Sequence, residues 1–214
     1  MINFKRIIIY LVLIFISFND FLFSNEFKIL VKIDNQIVTN YDLQNEIRTQ
    51  LFLRGVEINQ SNVDKIKNLS MQNLINRAIK NEEIKRRNIE DYNKQDLTNY
   101  IKKISSSLQV RDTDIKEIMK NYEVNYETFV NSAITDLKWN SLIFIIYKNQ
   151  LKINPLEVES EITSNLKSIS QKNDKEEIEK LKNKIIARKK NEKLQLFSNS
   201  HFSDLKNNAL IEFK

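Results

Sequence analysis

Ser200 and His201 sit side by side, and hydrolytic chemistry in this chain would have to be built around them, because His201 is the only histidine in 214 residues. A serine nucleophile needs a base to take its proton and a tight turn to present it. Neither Ser200 nor Ser141 has a glycine nearby to shape that turn, since Gly55 is the single glycine. Metal chemistry is equally short of ligands. Glu157, Glu159 and Glu161 recur at spacings of two, which spreads them around a helix, and there is no second histidine to complete a site. The absence of cysteine removes thiolate nucleophiles, disulfides and Cys-type metal sites. Glu82 and Glu83 precede Lys85, Arg86 and Arg87 and read as a solvated helix end; His201, in the polar run SHFSD, reads as a surface residue. No cofactor is expected.

Binding chemistry is what the inventory favours. Phe52, Tyr92, Tyr100, Tyr122, Tyr126, Phe129, Trp139, Phe144 and Tyr147 are spread over the middle of the chain. Aromatic side chains supply large contact area at small entropic cost. Phe129 lies on an apolar helical stripe and should be buried. Trp139, Phe144 and Tyr147 fall off the strict stripe of Leu142, Ile143 and Ile146, and so should form a part-exposed lining. The candidate binding set is therefore Phe52, Tyr92, Tyr122, Tyr126, Trp139, Phe144 and Tyr147, suited to extended, aromatic-rich segments. The formal charge of +6 is dispersed among Asp and Glu along helices, which describes a solvated surface and not a nucleic-acid site.

The elements that must position these residues are mostly helical. One glycine and one proline, Gly55 and Pro155, are too few for a β-rich domain or a phosphate-cradling loop. Lys5 and Arg6 followed by the apolar run 7–18 and Ser24 read as a cleavable signal peptide over 1–24, the run being shorter than the roughly twenty residues of a spanning helix. An uncleaved inner-membrane anchor is the alternative. Behind it, Ile29, Val31 and Ile33 alternate with Lys28, Leu30 and Lys32 as a strand, Asp34 and Asn35 turn, and Gln36 to Val38 return. Thr39 then caps a helix with Asp42 at N3.

Helical periods follow over about 40–54 with Gly55 at the C-cap, from about Asn62 (Ile66, Leu74, Ile75, Ala78, Ile79), and through Leu97, Ile101, Ile104 and Leu108. A short helix carries Ile115, Ile118 and Met119, and the longest well-marked helix, 126–150, should be the central core element. Asn154 and Pro155 restart a helix to about Leu166. Residues 168–174 read as a linker. A last helix from Lys175 carries Ile178, Leu181, Ile185, Leu194 and Phe197. Ala209, Ile211 and Phe213 alternate as a terminal strand, whose one available partner is the first hairpin. The expected fold is mostly α, with a small sheet joining the two ends.

Three blocks resemble the SurA-like periplasmic chaperones: VKIDNQIVTNYDL at 31–43, LKINPLEVESEI at 151–162, and IIARKKNEKLQLFSNSHFSDLKNNALIEFK at 185–214. The first is similar to the family's opening strand, turn and capped helix. The second resembles the segment closing its N-terminal domain, and the third its returning C-terminal helix and strand. The resemblance implies a chaperone domain over 25–167, a linker at 168–174 and a C-terminal helix and strand over 175–214 completing that core. The family's parvulin isomerase domains, inserted between the second and third blocks, have no room here. By resemblance the chain is an ATP-independent periplasmic holdase. Its clients would be unfolded outer-membrane β-barrel proteins, and the outer-membrane assembly machinery a further partner. A prolyl-isomerase-related enzyme and a membrane-anchored scaffold subunit are the competing expectations.

Overall fold

A computed structural model describes residues 27–167 and 175–214. The expected signal peptide, 1–24, and linker, 168–174, lie outside the described residues.

The hairpin forms as its alternation requires. Strand β1 is Ile29–Ile33, the turn places Asp34 at φ 47°, and β2 is Gln36–Thr39. Thr39 closes its helix with a full capping box: its Oγ1 accepts from the Asp42 N–H at 3.1 Å, and the Asp42 carboxylate accepts from the Thr39 N–H at 2.9 Å. Val31 and Ile33 are fully buried, but Ile29, counted on the same face, is 43% exposed. A register irregularity between Ile29 and Val31 carries it off the buried face.

Seven α-helices follow among the described residues: α1 Asn40–Leu53, α2 Gln60–Arg86, α3 Lys94–Ser107, α4 Ile115–Asn121, α5 Tyr126–Tyr147, α6 Pro155–Lys167 and α7 Lys175–Asn208. The α-helix α5 ends at Tyr147 and passes into a 3₁₀ turn, Lys148–Gln150. It is not the longest: α7, at 34 residues, continues through the polar run SHFSD to Asn208.

Four helix ends share one device. After α1, α2, α3 and α4 a residue with positive φ (Gly55, Asn88, Gln109, Glu123) is followed by an apolar one whose N–H returns to a carbonyl five residues back: Val56 to Leu51, Ile89 to Ile84, Val110 to Ser105 and Val124 to Met119, at 2.9–3.0 Å. These are Schellman ends with their hydrophobic contact. Only one uses glycine, so three carry the left-handed conformation with a side chain present.

The last strand, β3 Ile211–Phe213, pairs antiparallel with β1, giving the order β2-β1-β3 and matching Val31 to Phe213 and Ile33 to Ile211. The two ends of the described chain therefore meet. The sheet packs on Ile75, Ala78 and Ile79 of α2, with Phe202, Leu205 and Ala209 closing the cluster. Phe213, whose alternation with Ile211 suggests a buried face, is 68% exposed although the register sets it opposite buried Val31, because β3 is an edge strand. Buried Glu46 ties α1 to α2 through Arg77 at 3.1 Å and Asn73 at 3.2 Å.

Candidate functional site

The seven candidate aromatic residues separate into distinct places. Phe52, Tyr122 and Tyr126 join one cluster at the meeting of α1, α4 and α5, where Phe52 and Tyr122 pack edge to face with centroids 5.3 Å apart and Tyr126 leans on buried Phe129 at 6.2 Å. Phe52 is buried and Tyr122 exposed. Tyr92 is half-buried on the link between α2 and α3 and belongs to neither aromatic group.

Trp139 and Tyr147 belong to a second cluster, built where α5 meets the second half of α7. Trp139 is 2% exposed, so it is a core residue and not an open lining. Its place off the stripe of Leu142, Ile143 and Ile146 does not expose it, because α5 is covered from two sides: α2 takes one face, and Leu194, Phe197, Phe202 and Leu205 of α7 take another. Its indole N–H donates to Ser198 Oγ at 2.8 Å. Tyr147 stacks on Phe197 with centroids 4.7 Å apart and rings nearly parallel.

His201 is also in this cluster and is not a surface residue. Its Nδ1 is 3.1 Å from the Tyr147 hydroxyl, its ring lies 5.6 Å from Trp139, and its Nε2 is 3.4 Å from Glu83 Oε1. Glu83, expected to be solvated, is 2% exposed. Burial alone would raise its carboxyl pKa. Hydrogen bonds from Arg87 (Nε at 2.9 Å) and Arg86 (Nε at 2.7 Å) outweigh that penalty and hold it below the ordinary glutamate value. The single histidine is thus spent on packing three helices together.

Of the three residues expected to form a part-exposed lining, Tyr147 is half-buried and Phe144 is 49% exposed. Phe144 borders a groove of about 930 Å³ formed by the end of α5, the 3₁₀ turn, α6 and α7. The apolar wall is Phe144, Leu151, Ile153, Pro155, Val158 and Ile186. Lys148, Lys152, Lys182 and Lys190 surround it, with Glu159 the one acid. Asn154 Oδ1 accepts from the Leu156 N–H at 3.0 Å and Pro155 opens α6, so the helical run restarts there and the link before it puts Leu151 and Ile153 on the groove wall. In sequence this stretch reads as a helix break. Its alternate apolar residues, Leu151 and Ile153, were the signal that it is also a wall.

The α6 wall is fixed to α7 by charge. Glu161 meets Arg188, and Lys189 lies 3.5 Å from Glu157 and 3.6 Å from Glu161. Glu157 and Glu161 thus share one face at i, i+4 and serve as ion-pair partners. Among the described residues no group of acidic or histidine side chains could hold a metal ion, and no helix is long and apolar enough to cross a membrane.

No family model matches the sequence, and no curated protein does. Among solved structures, the chain is similar to a SurA-like chaperone of Campylobacter jejuni, from the pair formed by the virulence factor PEB4 and the periplasmic protein Cj1289. The similarity has 15% sequence identity and a TM-score of 0.40, over 87% of this chain and 98% of that one.

Proposed function

We propose that this chain is an ATP-independent chaperone of the periplasm that holds unfolded segments of outer-membrane β-barrel proteins, with the Phe144 groove as its client site. One observation carries the reading: an open apolar trough on the surface, bounded by Phe144, Leu151, Ile153, Pro155, Val158 and Ile186. Strands of an unfolded barrel alternate apolar and polar side chains, so a trough that takes every second side chain is matched to them. The surrounding lysines add a screened attraction for acidic clients. Each contact is weak, and holding a long client rests on several at once.

The experiment is aggregation of a urea-unfolded β-barrel protein diluted into buffer without nucleotide. Near-stoichiometric amounts of the chain suppress the light scattering, and Phe144→Ala weakens suppression several-fold while the helical circular dichroism is kept. Scattering unaffected by the folded wild-type chain would overturn the proposal. Suppression undiminished in the Phe144 variant would overturn the placement of the client in this groove.

A further inference from the structure

A second groove lies between α7, α5 and α2, with a volume of about 680 Å³, and its walls are of another kind. Asn191, Gln195 and Asn199 stand at i, i+4 and i+8 on α7, and Asn140 of α5 lines the same space. All four are exposed. Among the described residues none of the four has a side-chain hydrogen-bond partner. The charged residues lining the groove, Lys80 and Asp136, are paired at 2.7 Å, so the groove carries no net charge. Beneath the amides the floor is apolar, formed by Trp139, Ile143, Leu194 and Phe202.

We propose that this groove binds the main chain of an extended polypeptide through its ladder of side-chain amides. A carboxamide offers both an N–H donor and a carbonyl acceptor, the same two groups that a residue of an extended chain directs toward one edge. The spacing fits. Residues four apart on a helix are about 6 Å apart along its axis. An extended chain repeats every two residues, about 6.6–6.8 Å. Three rungs thus meet three successive same-edge residues with a mismatch of only about 1–2 Å over the whole ladder, within the reach of flexible amide side chains. Peptide groups are neutral, as the groove is. A sugar ring, the other neutral polar ligand, would look for an open aromatic face. The Trp139 ring is covered by Phe202 and His201 and has Lys80 Nζ 5.9 Å above it. Recognition through the main chain is indifferent to side-chain sequence. It is therefore separate from the apolar selection proposed for the Phe144 groove, and neither depends on the other.

The test uses the full chain and a capped ten-residue peptide of Ser and Thr alone, which gives the Phe144 groove nothing apolar to hold. Its partner probe is the same peptide N-methylated at alternate residues, which removes the donors from one edge. Side-chain amide resonances of Asn191, Gln195 and Asn199 shift on adding the plain peptide, and the methylated peptide binds at least fivefold more weakly. The triple variant Asn191→Ala, Gln195→Ala, Asn199→Ala loses the plain peptide, whereas Phe144→Ala keeps it. Equal binding of the two peptides, no binding of either, or amide shifts produced by a neutral oligosaccharide in place of the peptide would overturn the proposal. The methylation comparison needs no variant, so a folding defect cannot imitate its result.

Discussion

Glu83 shows how much a single side chain can hold in this molecule. A carboxylate this deeply buried is stable only if its charge is met, and here it receives two guanidinium groups from its own helix end and faces the His201 ring of α7. Its carboxyl pKa is lowered in the folded state, so the sign of its pH dependence is fixed. The stabilisation is fully present above the ordinary value of 4.5 and is lost as the pH falls through the lower folded value. Urea unfolding followed from pH 7 to pH 3 should show a steep loss of stability below about pH 4.5 in the wild type. Glu83→Gln should be less stable at pH 7, by about 1–3 kcal/mol, and should have a flatter acid limb. Acid limbs that run parallel in the two proteins would show that Glu83 is not the group responsible. One-dimensional context concealed this residue. Arg86 and Arg87, at i+3 and i+4, were visible as partners, but its burial depends on α7 crossing α2 more than a hundred residues later in the chain.

At the scale of elements, the readable parts were those written locally. The capping box at Thr39 and Asp42, the turn at Asp34, and Pro155 opening α6 each depend on residues within four positions of one another, and each formed as read. The less readable parts depend on what a neighbour covers. Three of the four Schellman ends lack glycine, so their stop signal was the apolar residue after the helix, which looks like any other apolar residue. His201 looked solvated among Ser and Asp, yet continuing the helical period from Phe197 through His201 to Leu205 places all three on one face of α7. The β3 strand illustrates the same division. Its pairing with β1 followed from alternation, but the burial of its side chains did not. Ile211 joins the core cluster beneath the sheet, whereas Phe213 projects into solvent. Ile211→Ala should therefore cost about 1–2 kcal/mol, less than a fully buried site would. Phe213→Ala should stay within about 0.5 kcal/mol. Thermal melts of the two variants check this, and an equal or larger drop for Phe213→Ala would contradict the register.

Across the whole molecule, α7 is the element that makes one body of the rest, and it does so by two kinds of contact. Its second half enters the apolar clusters: Leu194, Phe197, Phe202 and Leu205 pack with Trp139, Leu142, Ile143 and Ile84, and Phe202 and Leu205 also reach the sheet. Its first half holds Ile185, the one buried residue of the helix, and also meets α6 through the charges of Arg188 and Lys189 with Glu157 and Glu161. Apolar burial is insensitive to moderate salt, whereas partly exposed ion pairs contribute only about 0–1 kcal/mol each and are screened. The two halves of one continuous helix should therefore respond differently to ionic strength. Amide hydrogen exchange of 175–190 should be faster than that of 194–208, and raising the salt from about 0.05 M to about 0.5 M should widen the gap by speeding the first half alone. The consequence is functional under the proposed reading, because Ile186 and Lys190 form the α7 side of the Phe144 groove, and a loosened first half widens it. The amide ladder at 191–199 lies at the junction with the anchored half and should hold its spacing under the same conditions. Uniform exchange along α7 at both ionic strengths would mean that the charged contacts with α6 hold this helix no less firmly than the aromatic core does.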